Sequence, residues 1–165
     1  MHKLFTFTGA KKIAFGVGAL DNLPGYLGEL KAGRPLVVMD PALAASGLKE
    51  RVLGILDRQD IQATLFDKVE PEPPLELADA GAKAALKAKC DAVIGIGGGS
   101  AMDVAKAIAV IAANKGKAAD YLGLGKVPGP GLPKIMVPTT AGTGSEVTFT
   151  SVFIRKNLKK KEGMN

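Results

Sequence analysis

Short apolar runs alternate with longer amphipathic stretches along this 165-residue chain. Leu36-Val-Val-Met39, Ile61 to Phe66, Ala92 to Ile96 and Ile135-Met-Val137 read as strands. The continuous apolar character of Leu36–Met39 and Ile135–Val137 is what a strand covered on both faces requires. Between them, Pro41 opens a helix through about Asp57, with Leu48, Val52, Ile55 and Leu56 at helical spacing. Leu75–Lys89 and Ala101–Asn114 predict two more helices. Nearer the start, Phe5-Thr-Phe7 and Ile13-Ala-Phe15 read as short strands around Gly9, followed by a helix near Ala19–Leu30 that Pro24 and Gly25 open or break. Strands alternating with helices in this way predict one α/β domain with a Rossmann-like parallel sheet and helices on both faces. In such sheets ligands bind at the carboxyl ends of the strands.

Two candidate loops and one acidic residue lie at those ends. Gly97, Gly98 and Gly99 follow the apolar strand and lead into a helix, a layout that lets backbone N–H groups approach an anion, with Ser100 at the expected N-cap. Asp103 and Lys106 follow one turn apart on that helix. No Gly-Lys-Ser/Thr triplet closes the run, so it is not a P-loop. The dinucleotide fingerprint G-x-G-x-x-G fails as well, since Ser100 or Val147 falls on its last glycine. The second loop, Pro138-Thr-Thr-Ala-Gly-Thr-Gly-Ser-Glu-Val147, carries the hydroxyls of Thr139, Thr140, Thr143 and Ser145, able to donate to phosphate or ribose oxygens. The alternative is a Thr-rich turn that satisfies its own backbone. Asp40 closes the first long strand, where a carboxylate either caps a turn or bonds ribose hydroxyls and repels a 2′-phosphate, favouring NAD over NADP.

Composition narrows the classes. Hydrophobic residues at 47% and charged ones at 23% fit a globular domain rather than a disordered chain. The net charge of +6 draws much of its excess from Lys156, Lys159, Lys160 and Lys161, and with 5% aromatic residues and no Trp no nucleic-acid partner is expected. The single Cys90 excludes an intramolecular disulfide and reads as a buried inert thiol. The N-terminus lacks a signal-like apolar region and the longest apolar stretch, Ala107–Ala113, is too short to span a bilayer, so the expectation is a cytoplasmic protein with no membrane partner.

Together, Gly97-Gly-Gly-Ser-Ala-Met-Asp-Val-Ala-Lys106 and Pro138-Thr-Thr-Ala-Gly-Thr-Gly-Ser-Glu-Val-Thr148 resemble the paired signatures of the iron-containing (group III) alcohol dehydrogenases. Lys12-Ile-Ala-Phe-Gly-Val-Gly18, Leu36-Val-Val-Met-Asp40 and Val69-Glu-Pro-Glu-Pro-Pro74 extend the likeness over essentially the whole chain. The resemblance implies that residues 1–165 form the N-terminal, nucleotide-binding domain of a dehydroquinate-synthase-like fold. It implies NAD as cofactor, with Asp40 on the adenosine ribose, Gly97, Gly98 and Ser100 on the pyrophosphate, and Asp103 close to the nicotinamide end. Thr139, Thr140, Thr143 and Ser145 would line the other side, and Thr148 would lie near the nicotinamide or its ribose. A lysine after the last strand would reach the ribose; Lys161 fits that spacing, with Lys160 as the alternative and a solvated charge run as the competing reading. Glu72 departs from the family pattern, which often has Asn between the two prolines.

The resemblance further implies hydride transfer between an alcohol or aldehyde and nicotinamide, assisted by an iron or zinc ion held by one Asp and three His of a following helical domain. This chain has one histidine, His2, so no metal site and no catalytic residue is assigned within it. Asp103, Asp120 and Glu146 read as helix-surface, loop and cofactor-loop residues. The end at Gly163-Met-Asn165, after the last expected strand, is more simply a truncated enzyme than a stand-alone protein. Two other readings stay open: a glycerol or polyol-phosphate dehydrogenase or dehydroquinate synthase relative, and a non-catalytic nucleotide-binding module. The Phe5–Phe15 segment is open to two pairings, with a second chain to give a homodimer or with its own sheet.

Overall fold

The computed structural model describes residues 9–155 and 160–165. Its centre is a four-stranded parallel sheet built from β1 (Pro35–Met39), β2 (Thr64–Phe66), β3 (Ala92–Gly97) and β4 (Lys134–Pro138), in the order β2-β1-β3-β4. Val37 pairs with Leu65 and Ile94, and Ile94 pairs with Ile135. Every residue of β1 and β3 is buried, which is why both read as unbroken apolar runs.

Helices cover both faces. On one face α1 (Leu23–Glu29) and α2 (Leu48–Asp57) bury Leu23, Leu27, Val52, Ile55 and Leu56 against Val37, Met39, Ile94 and Ile96. On the other, α3 (Leu75–Lys87) and α4 (Gly99–Asn114) bury Ala78, Ala82, Val104, Ala105 and Ile108 against Leu36, Val38, Phe66 and Val93. Each fully buried Leu, Ile or Val contributes about 1.5–3 kcal/mol relative to leaving it in water. The chain leaves β1 toward β2 through α2 and returns to β3 through α3. The winding therefore reverses between β1 and β3, and the crevice at their carboxyl ends is the place where a ligand fits such a sheet.

After β4 the chain runs through the second loop into a separate antiparallel pair, β5 (Ser151–Arg155) with β6 (Lys160–Met164). This pair joins the rest through Pro74 beside Ile154 and through Leu122 and Gly123 beside Met164. It buries Phe153 and Met164 in the α3/α4 core.

Several elements differ from the pattern expected of the sequence. Ile13–Phe15 joins no ladder: Ile13, Phe15 and Val17 stand 70%, 101% and 111% exposed, so nothing among the described residues covers this segment. Phe5–Phe7 lies outside the described residues. Ala19–Leu30 divides into a 3-10 turn, Ala19–Asn22, and α1, where Pro24 falls in the first turn, a position that tolerates its missing N–H. Pro41–Asp57 divides likewise into a 3-10 segment, Pro41–Ser46, and α2, because Gly47 between them is left-handed at φ 72°. Only the last three residues of Ile61–Phe66 pair as strand, and α3 ends at Lys87 rather than Lys89. The α4 helix starts at Gly99, two residues earlier than expected. Gly98 is therefore the N-cap, and Ser100 sits inside the first turn instead of capping it.

Candidate functional site

The carboxyl ends of β1, β3 and β4 converge on a cavity of about 350 Å³. Asp40 and Leu43 enter it from the end of β1, Gly98 to Ala101 from the start of α4, Thr139 and Thr140 from the end of β4, and Pro71 closes one wall. A larger recess of about 640 Å³ lies between α3 and the last part of α4, and none of the sequence-predicted residues lines it.

The glycine run is shaped for close approach. Gly97 has φ 143°, and a Cβ there would stand 2.8 Å from the Ala101 Cβ, so a side chain is excluded twice over. A Cβ on Gly98 would press on Thr140 Oγ1 at 3.3 Å, and one on Gly99 would reach the Thr143 Cβ at 3.7 Å. The two loops thus meet across their glycines, and Thr139 N–H donates to Gly97 O at 2.9 Å to hold them together. Within α4 the first backbone bond is Met102 N–H to Gly98 O, at 3.2 Å. The N–H groups of Gly99, Ser100 and Ala101, all in the cavity lining, have no partner inside the helix, which makes them an anion cradle backed by the helix dipole.

Asp40 takes the turn-capping part foreseen for it. One oxygen, Oδ1, accepts from Ala42 N–H at 2.8 Å and fixes the turn into Pro41–Ser46. The carboxylate still borders the cavity, with Oδ2 unengaged among the described residues.

The hydroxyls of the second loop divide into two groups. Thr139 and Thr140 are exposed and line the cavity. Thr143 Oγ1 instead donates to Glu146 Oε2 at 3.0 Å and accepts from Ser145 N–H at 3.3 Å. Ser145 is buried and its hydroxyl donates to Asp103 Oδ1 at 2.6 Å. Thr143 thus satisfies its own turn while the Ser145 hydroxyl is taken by α4, and neither residue lines the cavity. Thr148 is exposed.

Asp103 is not the helix-surface residue expected. Its side chain is 13% exposed, and it accepts from Ser145 through Oδ1 and from Val152 N–H through Oδ2, at 2.9 Å. Lys106, one turn on, is 2% exposed. Its ammonium pairs with Asp103 Oδ1 at 2.9 Å and donates to the carbonyls of Ser145 at 3.0 Å, Thr150 at 2.5 Å and Thr148 at 3.4 Å. Burial pushes its pKa below the usual lysine range, with the Asp103 carboxylate opposing that shift. Among the sequence signals of a site, Lys106 shows only one: a charge set among Ala101, Met102, Val104, Ala105, Ala107 and Ile108, all buried.

Lys161 lies within β6 rather than after the last strand, and its ammonium pairs with Glu72 Oε1 at 3.1 Å on the surface. Glu72 is left-handed at φ 53°, a conformation where Asn is more at ease than Glu. Asp120 caps the 3-10 turn Ala118–Tyr121 by accepting from Lys117 N–H at 2.8 Å. Cys90 is half-buried, with its thiol pKa raised by burial. Among the described residues no three His, Cys, Asp or Glu side chains come together to hold a metal, and His2 lies outside them; the described residues do not fit a divalent metal. No described helix is long and apolar enough to cross a membrane.

A doubly wound sheet with free helix N–H groups and an acidic group at its switch point is the arrangement that dinucleotide-binding α/β proteins use. The chain belongs to the iron-containing alcohol dehydrogenase family, whose sequence profile matches residues 10–165. Long-chain-alcohol dehydrogenase 1 of Geobacillus thermodenitrificans is 44% identical over 147 residues, covering 87% of this chain and 37% of its own length. The crystal structure of a 1,3-propanediol oxidoreductase superposes with a TM-score of 0.91 at 30% identity, covering 98% of this chain and 42% of that one. Sulfoacetaldehyde reductase from Bifidobacterium kashiwanohense, solved in complex with NAD+, gives 0.89 at 35% identity, over 99% and 43% of the two chains. The chain thus spans about two-fifths of the length of these relatives and covers their N-terminal domain.

Proposed function

We propose that residues 1–165 form the NAD-binding domain of a metal- and NAD-dependent alcohol dehydrogenase acting on a small alcohol or aldehyde. The observation that carries this reading is the meeting of Asp40, the free N–H groups of Gly99–Ala101, and Thr139 and Thr140 around one cavity. The family match and the NAD+ complex of a 35% identical relative support the cofactor and the alcohol dehydrogenase branch over the polyol-phosphate and dehydroquinate alternatives.

In this reading the first turn of α4 holds the pyrophosphate through backbone N–H groups, with Gly97 and Gly98 allowing the approach and Ser100 adding its hydroxyl. Asp40 Oδ2 accepts from a ribose hydroxyl and repels a 2′-phosphate. Thr139 and Thr140 donate from the opposite wall, and Thr148 presents its hydroxyl toward the nicotinamide half. Lys161 reaches the ribose only by leaving Glu72. NAD, when bound, supplies the nicotinamide that exchanges a hydride with the substrate carbon. Any metal is held by residues outside this chain, and the exposed Ile13–Val17 segment pairs with a second copy in a homodimer.

Titrating the chain with NADH and with NADPH while following nicotinamide fluorescence tests this reading. Weak binding of NADH in preference to NADPH is expected, together with no measurable alcohol oxidation when iron or zinc is added. Absence of nucleotide binding would overturn the cofactor assignment, and robust turnover would overturn the placement of the metal ligands outside the chain.

A further inference from the structure

The 139–150 segment contains no strand and no α-helix, yet it carries the residues that face the nucleotide in the reading above. Something other than a backbone ladder must fix its shape, and the structure offers one group for that work. Lys106 enters from α4 and places its ammonium among four oxygens: Asp103 Oδ1 and the carbonyls of Ser145, Thr148 and Thr150. Three N–H donors serve four acceptors, so the longest contact, to Thr148 O at 3.4 Å, shares a proton.

The arrangement has the form of a cation site in which the cation is part of the chain. Three carbonyls spread over six residues, from Ser145 to Thr150, turn toward one point, which obliges the backbone to wind around it. Gly144, left-handed at φ 68°, supplies the reversal that starts the winding. Asp103 closes it by taking the Ser145 hydroxyl and the Val152 N–H, tying both ends of the segment to one carboxylate. With the carbonyls turned inward, the side chains of Val147, Thr148 and Phe149 stand exposed. An unpaired ammonium at 2% exposure would be severely penalised, so each inward carbonyl is needed by the lysine as much as the lysine is needed by the loop.

We propose that Lys106 is a positioning residue: an internal cation around which residues 145–150 are wound, setting Thr148 for the nicotinamide half of the cofactor without touching the cofactor itself. This rests on the NAD reading for the identity of the ligand, but the winding can be tested without one. The Lys106→Met variant of the whole chain keeps most of the side-chain volume and removes the charge. Its amides at 145–152 should lose at least about ten-fold in hydrogen-exchange protection while those of β1 and β3 keep theirs. In fluorescence and calorimetric titrations its NADH affinity should fall about ten-fold, with ADP affinity unchanged because the adenosine half rests on Asp40 and the start of α4.

Protection at 145–152 equal to the unaltered chain would overturn the proposal, and so would an equal loss of NADH and ADP affinity. Asp103→Asn, which keeps the side-chain shape, should shift both readouts the same way by a smaller factor, and it decides the matter if Lys106→Met does not fold. An unaltered chain that binds neither nucleotide refutes the NAD reading instead, and the exchange measurement then judges the winding alone.

Discussion

The hydroxyl-rich loop shows how little a residue type says about its employment. Thr139, Thr140, Thr143 and Ser145 are alike in sequence, but only the first two face the cavity, while Thr143 serves Glu146 and Ser145 serves Asp103. Lys106 and Asp103 were visible as a helical pair one turn apart, and their partners at 145–152 were not, because those lie some forty residues on. The lysine also has a consequence for stability. Its folded pKa lies below the ordinary value of about 10.4, so below the folded pKa both states hold the proton and the burial cost is fully present. As pH rises from there toward about 10.4 the unfolded chain holds more protons than the folded one, and stability rises. Asp103 and Glu146 favour the charged form and Lys134 faces it as a like charge, yet desolvation dominates. Urea unfolding of the unaltered chain relative to Lys106→Met should therefore improve on going from neutral pH toward pH about 10; a relative decline would contradict the depressed pKa.

Elements differ in how plainly they announce themselves. β1 and β3 were legible because both faces are covered and every residue is apolar or glycine apart from Pro35. The β5–β6 pair was hard to read, since Lys160, Lys161 and Glu162 give it the look of a solvated charge run and, of its described residues, only Ser151, Phe153 and Met164 are buried. The strand expected at Ile13–Phe15 fails for the opposite reason: its residues suit a strand but find no partner among the described residues. At the β3–α4 junction the glycines are demanded by geometry. Gly97→Ala puts a Cβ at φ 143° and 2.8 Å from that of Ala101, so a loss of about 1–3 kcal/mol is expected in denaturant unfolding, together with weaker NADH binding. Unchanged stability would mean the junction relaxes more freely than its packing suggests.

At the scale of the molecule, the chain matches about two-fifths of its relatives' length and still forms an open doubly wound sheet with a core on each face. Ile13, Phe15 and Val17 recur at every second residue of an exposed segment, the spacing a pairing strand would use. If that segment joins two copies, light scattering should return twice the mass of one chain. Phe15→Asp should return a monomer of unaltered fold, because Phe15 is fully exposed. A monomeric unaltered chain would end the homodimer proposal.

By itself the sequence determined the four strands of the parallel sheet with the helices between them, and the glycine turn at the end of β3, because apolar periodicity and glycine act over a few neighbouring residues. Its paired glycine- and threonine-rich motifs also carried the family. Tertiary structure alone decided which hydroxyls face the cavity, that α4 begins at Gly99, and that Lys106 lies buried at the centre of the second loop. The physical reason is that burial of a charge and the spending of a hydrogen-bond donor depend on groups brought together across the chain, which no local pattern records.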